Sequence, residues 1–166
     1  MKKVVIYVLI LCCCCAASFA QSAYNEKDGG FSVSVLDGWK LTEMEGVKYK
    51  VIYKNPENNF APNIIFTEEV ANIKITDYVD ESVLQFSDMF ENAELISRKD
   101  FKTKSGLKGE RVIVNYTQNN VEVRQTFYFL PLKQNRKMII ICSVLQSTGD
   151  KFDADFDGTV KSFKAK

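Results

Sequence analysis

Apolar and polar residues alternate along most of the chain after residue 30, and the alternation gives way to a helical spacing in two places. Phe31, Val33 and Val35 alternate with Ser32 and Ser34, which predicts a strand with one wet face. In "VKYKVIYK" the residues Val47, Tyr49, Val51 and Tyr53 predict a second such strand. Residues 55–63, "NPENNFAPN", carry two prolines and predict a loop, followed by a short buried strand at 64–66. The period then changes. Val79, Val83, Phe86 and Phe90 form one apolar stripe, predicting a helix over 76–92 with Asp77, Asp80 and Glu81 near its start and Thr76 or Asp77 as its cap.

Strand character returns at 95–104, breaks at the "SGLKG" turn and resumes at 110–117. The "QNN" at 118–120 suits the positive φ of a tight turn, so 110–117 and 121–130 should form an antiparallel hairpin. After a turn at 133–136, "KMIIICSVL" is apolar on both faces and predicts a central strand. Residues 150–163 return to the helical period, with Phe152, Phe156, Val160 and Phe163 on one stripe. This order predicts an α+β fold, a central antiparallel sheet flanked by helices in an α/β/α sandwich.

The ends set the compartment. Lys2 and Lys3, the apolar run 4–15 and "SFA" at 18–20 read as a signal peptide over residues 1–20, cleaved after Ala20. Cleavage and acylation at one of Cys12 to Cys15 is the less favoured alternative, because no small residue from outside the cysteine run precedes any of them. The expected mature product is one domain, 21–166, periplasmic or secreted, with no transmembrane segment. A monomer is allowed. Loss of Lys2 and Lys3 leaves 20 Lys and Arg against 21 Asp and Glu, a net charge near −1 with the signs well mixed. No basic stripe points to nucleic acid.

The chain has no histidine, which removes Ser-His-Asp and Cys-His arrangements and the usual proton carrier near neutral pH. Cys142 is the one cysteine left after cleavage and lies in the register of Met138, Ile140 and Val144, so a buried core thiol is expected. "SGLKG" lacks the spacing of a phosphate loop. The sharpest motif is "DADFDG". Asp153, Asp155, Asp157 and Gly158 match the first half of a calcium loop, but Lys164 stands where the bidentate glutamate belongs. The expected reading is three aspartates on the wet side of the last helix, with no catalytic, cofactor or metal residue assigned.

Three stretches, "GFSVSVLDGW", "GLKGERVIVNYTQNNVEVRQTFYFL" and "FDADFDGTVKSFK", resemble the PsbP-like superfamily, which includes the extrinsic photosystem II protein, Ran-binding Mog-type proteins and exported DcrB-type proteins. Leu36 replaces the family's proline, while Asp37, Gly38 and Trp39 remain. The resemblance implies helices on both sides of an antiparallel sheet and a non-enzymatic accessory or binding role. Because the chain reads as exported, neither photosystem assembly nor binding of a nuclear GTPase carries over. The expectation is a non-catalytic module of the bacterial envelope with a protein partner and no cofactor. The alternative is a small-ligand or lipid carrier with a cavity between sheet and helices. Phe60 either forms an exposed loop tip for contact or folds back into the core, and Trp39 should be largely buried.

Overall fold

The structure, a computed structural model, describes residues 22–56 and 59–166. The expected signal peptide and Cys12 to Cys15 lie outside the described residues. The described chain forms, in order, β1 (Ser22–Glu26), β2 (Phe31–Val35), β3 (Trp39–Thr42), β4 (Val51–Lys54) and β5 (Asn63–Val70). There follow α1 (Ile75–Met89), β6 (Glu91–Lys102), β7 (Lys108–Gln118), β8 (Val121–Pro131), β9 (Arg136–Leu145), α2 (Asp153–Lys161) and β10 (Lys164–Ala165).

Seven strands make one antiparallel sheet in the order β3-β4-β5-β9-β8-β7-β6. Its middle strand is β9, as the two-sided apolar run predicted, and Cys142 on it is fully buried. The hairpin β7–β8 closes on Asn119 and Asn120 at φ 51° and 63°, with Gln118 opposite Val121. Two consecutive residues at positive φ match the twist of the flanking strands, which asparagine adopts at low cost.

Three departures from the sequence reading have physical causes. First, β2 does not join the central sheet. It pairs with β1 and β10 in a separate three-stranded sheet, and the helices only partly flank the large one. Second, in "VKYKVIYK" only β4 is extended, because Val51 and Ile52 are both buried and the one-face alternation fails there. Third, α1 has no side-chain cap. It starts after Lys74, whose carbonyl accepts the Tyr78 amide at 3.0 Å, and it ends at Met89 because Phe90 is already extended and leads into β6.

Each face of the large sheet carries its own core. On one face Tyr128, Leu130, Ile140, Cys142 and Phe66 meet β2 and α2. Phe31 of β2 is fully buried there and stacks on Phe163 and Phe66 at 5.3 and 5.2 Å between ring centroids. On the other face Val112, Val114, Phe127, Phe129 and Ile139 meet Val79 and Phe86 of α1. Phe86 stacks on Phe127 at 4.8 Å and Phe90 on Tyr116 at 4.2 Å. On both faces the covers meet the sheet through side chains.

One glycine is fixed by close approach. A Cβ at Gly109 would sit 1.9 Å from the Phe129 carbonyl oxygen, a collision with backbone that no rotamer relieves. Gly109→Ala is expected to destabilise the fold by about 3 kcal/mol, read from the urea midpoint. Gly38→Ala, in an open turn, is expected to cost less.

Candidate functional site

The "DADFDG" stretch lies within α2, so its residues follow a helix and do not wrap an ion. At 100° per residue, Asp153 and Asp157 fall on one flank of the Phe152-Phe156-Val160 stripe and Asp155 on the other. The aspartates are thus not a wet face. Asp153 accepts hydrogen bonds from Arg111 at 2.7 Å and Arg124 at 3.0 Å. Asp157 pairs with Arg111 at 3.2 Å and accepts the Tyr128 hydroxyl at 2.7 Å. Across the stripe, Asp155 accepts the Trp39 indole N–H at 3.0 Å.

Charged and aromatic groups therefore clamp both flanks of α2 onto the sheet. Burial works against the charge of Arg111, but the Tyr128 hydroxyl and the Asp153 and Asp157 carboxylates outweigh it, and its pKa is raised. Burial, the field of Cys142 and the bond to Asp157 push Tyr128 far up. Burial also raises Cys142 well above the ordinary thiol range, which keeps it protonated. These groups hold protons tightly and face one another, an arrangement suited to fastening a helix.

Trp39 is 7% exposed, as expected, and packs edge-on against Phe152 and Phe156 at 6.0 and 5.9 Å. The turn before it closes through the Trp39 amide on the Leu36 carbonyl at 3.1 Å, with Gly38 at φ 76°. Phe60 is half-buried and forms a bridge, intermediate between an exposed tip and a core residue. Neither motif singled out in the sequence is an open binding site.

The open site is one that sequence reading missed. On the α1 face the helix covers only part of the sheet, leaving a groove of about 360 Å³ between α1 and strands β5, β8 and β9. Its floor is Phe127, Phe129, Ile139 and Ile141, and its wall is Tyr78, Phe86 and Met89 of α1. Glu69 and Glu81 contribute to its rim, and among the described residues no lysine or arginine lines it. Tyr78 donates to Glu69 at 2.6 Å and so latches the helix to β5. On the opposite side Arg98 grips Glu110 with two bonds and reaches Asp80 at 2.6 Å. These two ties fix the width of the groove. Met89 on the groove wall is 64% exposed, and Leu84, 75% exposed, lies beyond Glu81 on the outer side of the helix. The available signal was leucine and methionine on what pattern alone made the polar side of α1.

Solved structures of low identity match most of the chain. CyanoP of Synechocystis sp. PCC 6803 aligns over 93% of this chain and 97% of its own, at 14% identity and TM-score 0.58. The chain has the PsbP-like fold. LpqN of Mycobacterium tuberculosis, described as involved in cell envelope biogenesis, shares that PsbP-like fold over 89% of this chain and 91% of its own, at 15% identity and TM-score 0.60. Mog1p of Saccharomyces cerevisiae, a Ran-binding protein, covers 89% and 96% at 12% identity and TM-score 0.57. No protein family and no curated protein sequence matches the chain. Among the described residues no helix of this PsbP-like chain is long and apolar enough to cross a membrane.

Two outcomes follow from the clamp. Arg111→Met is expected to lower stability by about 2 kcal/mol in urea unfolding, below the 3–5 of a fully buried pair, because Asp153 and Asp157 keep partial exposure. Calcium should leave the melting temperature of the parent protein unchanged, since arginines hold those carboxylates. A third outcome concerns pH and the buried tyrosines. Burial leads the rise in pKa of Tyr24, Tyr49, Tyr78, Tyr116 and Tyr128. A raised pKa in the folded state means that the stability these groups add is complete below their ordinary value of about 10 and is lost as pH rises past it. Tyrosinate absorbance should therefore rise in one cooperative step together with loss of near-ultraviolet circular dichroism. Independent titration of these tyrosines near pH 10 with the fold intact would contradict the burial.

Proposed function

We propose that this chain is an exported, non-catalytic accessory module that engages a protein partner through the groove beside α1. The observation that carries the reading is a concave strip of fixed width beside α1, in which exposed Met89 and half-buried Ile141 lie under an acidic rim. Aromatic and methionine side chains around a concave strip are what a partner's apolar side chains fill. Glu69 and Glu81 favour a segment that also bears lysine or arginine, by charge complementarity. The exposed acids Asp77 and Asp88 of α1 add the same sign near the rim.

The chemistry of this chain supports binding over turnover. There is no histidine, Cys142 is sealed in the core, and the strongly perturbed groups of the α2 clamp are engaged with one another. The likeness to LpqN, described as involved in envelope biogenesis, and to the Ran-binding Mog1p is consistent with an accessory role on this fold. Residues 1–20 supply the argument for export.

The test is site-specific photo-crosslinking in the source cell, with the reactive group at Gln85 or Met89 and, as a control, at Lys40 on β3. The expected result is a discrete protein adduct from the groove positions that disappears with Ile141→Glu and does not form from Lys40. Met89→Glu, a surface change expected to stay within about 0.5 kcal/mol of the parent, should also abolish the adduct. Adducts that persist through both substitutions, or that form equally from Lys40, would overturn the groove as the binding surface.

A further inference from the structure

A second concave surface lies where the β6–β7 turn, the β8–β9 turn and β10 converge, and it has the opposite electrostatic character. Backbone and hydroxyl contacts hold these segments together. The Lys104 amide donates to the Lys161 carbonyl at 2.7 Å, Ser105 donates its hydroxyl to the Phe163 carbonyl at 2.8 Å, and the Lys166 amide donates to the Gly30 carbonyl at 2.7 Å. Between them opens a pocket of about 380 Å³. Leu107, Pro131, Leu132 and Ala165 give it an apolar floor, and Lys133, Arg136, Lys164 and Lys166 surround it. No aspartate or glutamate side chain lines it.

The four cations come from two separate parts of the sequence, 133–136 and 164–166, so no charge run announces them. Arg136 spends one nitrogen on Glu68 at 3.0 Å, while its Nε is buried without a hydrogen-bond partner. Lys133, Lys164 and Lys166 are exposed and have no ion-pair partner among the described residues. Three lysines without ion-pair partners beside Arg136, whose charge Glu68 partly meets, make the cavity favourable for an anion. The floor, however, is aliphatic, which a bare inorganic anion would not use. The volume falls in the range of small-molecule sites.

The geometry points to a binding site for an anionic amphiphile, with a phosphate or carboxylate head among Lys133, Arg136, Lys164 and Lys166 and an apolar body on Leu107, Pro131, Leu132 and Ala165. The site is separate from the α1 groove and stands or falls independently of it.

Calorimetric titration of the mature chain with dodecyl phosphate, kept below its micellar concentration, tests the assignment. Dodecyl phosphate is expected to bind at least tenfold more tightly than inorganic phosphate and more tightly than dodecyltrimethylammonium. Lys133→Glu with Lys164→Glu should weaken it at least tenfold, and Lys40→Glu should leave it unchanged. Thermal melts of each variant separate loss of the site from loss of the fold, and Lys133→Gln with Lys164→Gln provides a milder pair that should lose several-fold. Vesicles of phosphatidylglycerol and phosphatidylcholine identify the source. Sedimentation of the protein with them, in competition with dodecyl phosphate, assigns a membrane headgroup; binding of the monomer alone assigns a free amphiphile. Equal affinity for the cationic detergent, equal affinity for bare phosphate, or indifference to charge reversal in folded variants would overturn the proposal.

Discussion

The rest of this structure depends on a sheet whose middle strands are apolar on both faces. β8 and β9 send Tyr128, Leu130, Ile140 and Cys142 to one side and Phe127, Phe129 and Ile139 to the other, all buried. Such a sheet must be covered twice, since each buried side chain of this size contributes about 1.5–3 kcal/mol that exposure would forfeit. The two covers are unequal. One face receives β2, β10 and α2 together, with Phe31 and Phe163 at the centre of an aromatic stack. The other receives α1 alone, and one helix about 10 Å across cannot roof a seven-stranded sheet. The groove is the area left over.

Charge is placed where it positions these covers. Arg111 and Arg124 meet Asp153 and Asp157 beside α2, while Arg98 meets Asp80 and Glu110 beside α1. In both cases arginine supplies the several donors of a planar fork, which a lysine could not match. Pairs that retain partial exposure add only modest stability, so their main effect is on the azimuth and register of each helix. Burial of the phenylalanine stripe is non-directional and leaves that choice open. Edge strand β6 uses charge in another way. Its two register shifts and its Arg98-Lys99-Asp100 run interrupt the regular ladder that would otherwise invite another strand.

Period and turn chemistry made much of the fold legible. The β7–β8 hairpin, the central place of β9 and the burial of Trp39 each follow from local pattern plus one long-range assumption. What pattern could not supply was partnership between distant segments. The alternation of Phe31, Val33 and Val35 says that one face is buried, but not that the strand leaves the main sheet to pair with β10, some 130 residues later. The aspartates of α2 looked solvated because a helical wheel does not record Arg111 and Arg124 waiting on the sheet. The lysines around the basic pocket likewise read as ordinary surface charge, since Lys133 and Lys164 line one pocket only after two distant segments meet.

That division has a consequence for function on this fold. Solved structures at 12–15% identity share the fold with this chain. They do not have to preserve what borders the uncovered strip, because neither the acidic rim beside α1 nor the cations around β10 contributes to either core. Binding character is thus free to change at fixed architecture, by substitution at exposed positions whose effect on stability is small. In this chain the two concave surfaces carry opposite charge, one acidic over aromatic side chains and one basic over aliphatic side chains. A single partner complementary to both would need matching opposite patches at the same separation. Two ligands of different sign meet the same constraint with no geometric coupling, which is why the groove and the pocket are best understood as separate sites.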